Sequence, residues 1–112
     1  MIRLFVPAAA LLATACATTA GGEPGETHLA YEGRQLAEEY CASCHAIGKT
    51  GESPHPDAPT FERAANRYPP AMLAEAFAEG IQVGHPDMPV FEMTPDNIDR
   101  LIAYLETLRA ES

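Results

Sequence analysis

Five consecutive residues, Cys41-Ala42-Ser43-Cys44-His45, constrain this chain more than any other feature of it. Cysteines three apart lie on the same side of a helical turn, so both sulfurs can reach one flat ligand while the adjacent histidine is pressed against its face. C-x-x-C-H at this spacing marks covalent attachment of one c-type haem: Cys41 and Cys44 each form a thioether with a vinyl group, and His45 becomes an axial ligand of the iron. Two other uses of a C-x-x-C pair fit less well. A thioredoxin-like dithiol follows a β-strand in a βαβ pattern, and no strand pattern precedes Tyr40. Structural zinc takes four ligands, and from the motif onward only His45, His55 and His85 are available, with no second cysteine pair.

A chain of 112 residues holds one small domain, too small for a large enzyme active site. Its sixteen acidic residues against seven basic ones give a net charge of −9. That field opposes binding to nucleic acid or to an anionic membrane surface. So short a chain needs a staple to supplement its core, and a covalently held haem is one.

Residues 1–15 read as an export signal: Arg3 in a short leading segment, an apolar run from Leu4 to Ala13, and Ala13-Thr14-Ala15 before Cys16. The apolar run is shorter than the roughly 20 residues a membrane-spanning helix needs, so the mature domain is expected to be soluble and periplasmic. Removal of the signal takes Arg3 with it and makes the mature chain more acidic by one charge. Cys16 has two readings. The run LLATAC resembles a bacterial lipobox, which would make Cys16 an acylated N-terminus and the membrane anchor, although Ala13 stands where Leu is usual. The alternative is ordinary cleavage after an A-x-A site. Parity favours acylation or removal, since an unmodified third cysteine would be a stray thiol in an oxidising compartment. Residues 16–28 are rich in Gly, Pro and small polar residues and read as a flexible linker, with the folded domain spanning 29–112.

Met72, Met88 and Met93, or His55 and His85, are the residues past the motif that could bind the other face of the iron. Met88 is the strongest candidate. It lies in HPDMPVF, where Pro86 and Pro89 stiffen the backbone around the sulfur and lower the entropy lost on ligation. Met72 falls at an apolar position of a helix and reads as core packing. Met93 precedes a helix start and also reads as a core contact. HPDAPTF at residues 55–61 repeats the build of HPDMPVF at 85–91 without the sulfur, so two similar Pro-rich loops could flank one haem. His55 and His85 themselves read as solvent-exposed loop residues.

The hydrophobic pattern predicts an all-α fold of three to four helices wrapped around one haem. The first helix runs from about Leu29 to Tyr40, with Tyr31, Leu36, Ala37 and Tyr40 toward one side, and leads straight into the motif. A second covers Pro70 to Glu79, with Gly80 as its stop, and a short turn of helix is possible at Phe61 to Asn66. The last opens with Thr94 as N-cap and Pro95 at the first position, and sets Ile98, Leu101, Ile102, Leu105 and Leu108 on one face.

From about residue 29 to 109 the chain resembles a class I cytochrome c of the short bacterial kind. The resemblance rests on Gly33 eight residues before Cys41, on CASCH, on Met88-Pro89 and on LIAYL at 101–105. It implies that the first helix lies against the last at Gly33, near Leu101 and Tyr104. Ala37 departs from the aromatic residue often found there. The resemblance further implies that a proline carbonyl after the motif accepts the Nδ1–H of His45; Pro59 is the first candidate, with Pro54 and Pro56 as alternatives. Arg67 and Tyr68 are candidate donors to a haem propionate, with ordinary surface placement as the other reading.

With His45 and Met88 both bound, the iron has no open position, and the expected role is that of a non-enzymatic, monomeric one-electron carrier between exported or membrane redox enzymes. The acidic charge predicts a partner with a basic docking patch. Two other readings stay open: a haem-based sensor or ligand-binding protein with a labile distal ligand, and a dedicated cytochrome subunit of a dehydrogenase or oxidase.

Overall fold

Threonine starts three of the four helices. In a computed structural model that describes residues 22–80 and 86–110, these are α1 (His28–Tyr40), α2 (Phe61–Arg67), α3 (Pro70–Glu79) and α4 (Pro95–Thr107). The Oγ1 atoms of Thr27, Thr60 and Thr94 accept hydrogen bonds from the backbone N–H groups of Ala30, Arg63 and Asn97, satisfying donors that a helix start leaves without partners. α3 instead begins with Pro70 at its first position and ends at Gly80, whose φ of 82° suits a residue without a Cβ. The all-α class read from the sequence is the observed one, with no strand among the described residues. No helix among them is long and apolar enough to cross a membrane. Residues 1–15, read as an export signal, and Cys16 and His85 lie outside the described residues.

α1 and α4, from opposite ends of the domain, form the main packing pair, and α3 and α2 lean on α4. Their approach at Gly33 is too close for any side chain. A Cβ built there would sit 1.9 Å from the carbonyl oxygen of Arg100 and 2.9 Å from Tyr104 Cβ. Around this crossing, Ala37, Phe61, Ala65, Leu101, Tyr104, Leu105 and Leu108 form the buried core. The buried side of α1 is Ala30, Gly33 and Ala37, shifted from the stripe read from periodicity. Tyr40 is 52% exposed. On α4 the buried set adds Tyr104, while Ile102 is only partly buried. Met72 departs from its core reading. It is 57% exposed, because α3 buries no residue fully and turns Leu73 and Phe77, not Met72, toward the core.

Polar ties fix what packing leaves loose. Arg100 donates to Glu32 at 3.1 Å across the α1–α4 crossing. Asn66 on α2 clasps the end of α4, donating to the Leu108 carbonyl at 3.2 Å and accepting from Ala110 N–H at 2.7 Å. Arg109 donates to the Ala65 and Tyr68 carbonyls at the end of α2, where a cation suits the helix dipole. Within the span read as linker, Glu26 closes a turn onto Glu23 and pairs with Arg34 on α1 at 3.3 Å, so order begins before the helix does.

Candidate functional site

The C-x-x-C-H residues occupy the turn that ends α1. Cys41 is the C-cap, and the N–H groups of Cys44 and His45 both donate back to the Cys41 carbonyl, at 3.1 and 2.9 Å. This single turn points Cys41, Cys44 and His45 into one cavity of ≈ 590 Å³, within the roughly 300–1,000 Å³ typical of cofactor sites. As a free thiol Cys41 is pushed up to about 11, first by burial and second by Cys44 beside it. A thiol held protonated at neutral pH is a poor redox nucleophile, which weighs against dithiol chemistry here.

The loop after the motif folds back beneath it. Ala46 N–H donates to Ser53 Oγ at 3.0 Å, His55 N–H to the Cys44 carbonyl at 3.1 Å, and Phe61 N–H to the Ala46 carbonyl at 2.9 Å. Tyr104 reaches in from α4 to donate its hydroxyl to the Ile47 carbonyl at 2.6 Å. Burial raises the Tyr104 phenol above its ordinary value, with nearby Glu26 and Glu38 adding to this and Arg34 opposing it. So anchored, the loop sets the Pro59 carbonyl 2.7 Å from His45 Nδ1, a distance at which Nδ1–H donates and Nε2 is left for a ligand. The Phe61 ring lies against the imidazole, centroids 5.5 Å apart.

Cys41, Cys44, His45, Pro59, Tyr68 and Met88 all line this one cavity. Arg67 does not; its guanidinium lies over the Tyr68 ring, 5.8 Å from the centroid. Pro54 and Pro56 do not line it either, whereas Met93 does and also packs against the core. Leu36, Leu73, Phe77, Phe91, Leu101 and Leu105 supply most of the apolar wall. These are amphipathic helix positions together with an aromatic next to the Met88 loop, and nothing in the sequence set them apart from ordinary core residues. Tyr40, exposed in the polypeptide alone, stands at the cavity and meets the Phe91 ring edge-on at 6.4 Å. Among the described residues, the charged side chains on the lining are Asp57, Asp87 and Glu92, with no Lys or Arg.

His55 corrects its solvent-exposed reading. Its side chain is 26% exposed, lines the cavity, and holds Asp87 Oδ2 at 3.2 Å, so the two HPD loops touch. The repeat of the tripeptide was the signal that could have indicated this pairing.

The residues fit a haem. Two sulfurs and an imidazole with a fixed tautomer share one cavity with a thioether, and most of the remaining wall is apolar. Comparison with known proteins agrees. The family model described as cytochrome c matches residues 30–109. A cytochrome c-552 of Bradyrhizobium diazoefficiens is 32% identical over 77 residues, covering 69% of this chain and 72% of that protein. A cytochrome c oxidase subunit 2 of Alkalihalophilus pseudofirmus is 35% identical over 98 residues, 78% of this chain but only 28% of that protein. No solved structure matches significantly.

Proposed function

The chain belongs to the cytochrome c family and carries one covalently bound haem c, and from that premise we propose that it is a one-electron carrier whose iron is held by His45 and Met88. The bound haem supplies an iron that exchanges one electron between its ferric and ferrous states. The polypeptide determines how. Pro59 accepts the Nδ1–H of His45 and so presents Nε2 to the metal, raising the basicity of the imidazole. Met88, half-buried between Pro86 and Pro89, offers a neutral thioether that favours the ferrous state. Were His45 and Met88 both to hold the iron, no position would be left for a substrate or dioxygen, which supports transfer over catalysis as the role. Tyr68, at the rim, is the proposed propionate donor, with Arg67 acting only through its contact with the Tyr68 ring.

Asp57, Asp87 and Glu92 around the cavity support docking to a basic patch on a redox partner, with association that weakens as salt rises. Export to the periplasm, tethering through an acylated Cys16, and a monomeric state complete the reading. The likeness to part of an oxidase subunit favours a second one, a cytochrome that delivers electrons within or to a terminal oxidase.

The observation that carries the proposal is the shared cavity of Cys41, Cys44, His45 and Met88 with Pro59 fixing the imidazole. Its test is the visible spectrum of the haem-loaded protein in both oxidation states, with and without carbon monoxide, beside Met88→Ala. Low-spin spectra, a weak far-red sulfur-to-ferric band that the variant loses, and no carbon monoxide binding to wild type are expected. A high-spin or carbon-monoxide-binding wild type would overturn the assignment.

A further inference from the structure

A thioether is a weak, neutral ligand, so its bond to iron lasts only as long as the segment carrying it is held in place. The apparent strength of ligation is scaled by the fraction of time the loop is in its bound conformation. What restrains residues 86–90 therefore matters as much as the sulfur itself.

His55 is built as a fixed post beside that loop. Its backbone N–H is tied to the Cys44 carbonyl at 3.1 Å, and its own carbonyl accepts from Ala58 N–H at 3.1 Å. Its ring is oriented as well: Asp57 N–H donates to Nδ1 at 3.2 Å, so the neutral imidazole carries its proton on Nε2. Nε2 then donates to Asp87 Oδ2 at 3.2 Å. Asp87 is the residue immediately before Met88, and His55 lies four residues before Pro59, whose carbonyl orients His45. This side-chain contact joins the strap beneath the imidazole to the strap carrying the sulfur, across 32 residues of sequence.

We infer that the His55–Asp87 pair is a clasp that holds the Met88 loop closed on the iron, making His55 a positioning residue for the distal ligand. The clasp rests on the His45/Met88 reading and adds to it a second determinant, remote from the metal, of how readily the sulfur leaves. Because the post is rigid before the contact forms, little entropy is lost in making it.

The test uses the full-length, haem-loaded ferric protein as wild type, His55→Ala and His55→Gln. Gln is chosen because its side-chain amide can donate to Asp87 from nearly the position of Nε2. Haem content and low-spin spectra are compared first, and imidazole is then titrated while the far-red sulfur band is followed. The expected result is displacement of Met88 at about fivefold lower imidazole in His55→Ala, the effect of losing one partly exposed charge-assisted hydrogen bond, with His55→Gln close to wild type. A His55→Ala titration matching wild type would overturn the clasp while leaving His45/Met88 ligation standing. The same holds if both variants shift equally, since ring packing and not the hydrogen bond would then be responsible. A wild-type protein without the sulfur band would overturn both the ligand assignment and the clasp.

Discussion

Gly33→Ala should be among the most damaging one-carbon additions this domain can suffer. The added methyl would lie 1.9 Å from the Arg100 carbonyl oxygen and 2.5 Å from its carbon, against the 3.4 Å at which ordinary contact begins. The obstruction is backbone, so no rotamer change relieves it, and α1 and α4 must part by about 1.5 Å. A gap of even 0.5–1 Å forfeits roughly a quarter to a half of each dispersion contact along the seam, where Ile98, Leu101 and Tyr104 are buried. Overpacking of this kind costs about 3 kcal/mol at the upper end, while replacing a helical Gly by Ala returns about 1 kcal/mol, for a net loss of about 2 kcal/mol. In a domain of this size that lowers Tm on the order of 10 °C. The assay is thermal unfolding of the haem-loaded proteins followed by far-ultraviolet circular dichroism, with Gln35→Ala, exposed on the same helix, as the control. A Gly33→Ala protein as stable as wild type, at equal haem content, would refute the claim that this crossing has no room.

Three further outcomes are expected. Tyr104→Phe strands the Ile47 carbonyl and costs about 1–2 kcal/mol at neutral pH. Because burial raises the Tyr104 phenol above its ordinary 10.0, the unfolded chain loses this proton first; the stabilisation is complete below pH 10 and declines as pH climbs through the raised value. Denaturant midpoints should therefore show the gap between wild type and variant narrowing above pH 10, and a constant gap would count against the burial argument. Asn66→Ala opens the clasp between α2 and the end of α4, costing about 1 kcal/mol, and hydrogen exchange at Ala110 N–H should speed up while that of the α1 core amides does not. Removing the haem by replacing Cys41 and Cys44 with Ala leaves an apolar cavity of ≈ 590 Å³ beside a core of seven residues. Thermal unfolding of that variant should lose its sharp transition, and a cooperative melt near that of the wild type would contradict the role given to haem as part of the core.

Much of this was legible from the chain because its strongest signals are local. Thr94-Pro95 places a cap and a first turn within two residues, and Gly80 ends α3 where its φ requires it. The C-x-x-C-H turn closes through short-range hydrogen bonds, from Cys44 and His45 N–H to the Cys41 carbonyl. Residues whose surroundings are set by distant segments are less legible. Met72 has the periodicity of a core residue, yet it is 57% exposed, since α3 turns Leu73 and Phe77 toward the core instead. His55 looks like any polar loop residue until the chain returns 32 residues later with Asp87. Tyr104 stands at the α1–α4 crossing as the resemblance implies, but that its hydroxyl reaches a loop 57 residues away is not written in any local pattern.

The pairing of α1 with α4 also sets an order of events. A chain is made from its N-terminus, so Cys41 to His45 emerge some fifty residues before the helix that will press against α1. Until Pro95 to Thr107 follows, Gly33 has nothing to pack against, and the wall formed by Leu101 and Leu105 is missing from the cavity. During that interval the two sulfurs would stand on a turn without its opposing wall, open to whatever joins the porphyrin to them. The last helix then acts as a door shut behind the cargo: a topology in which the ends of the domain meet keeps the attachment site open early and enclosed late.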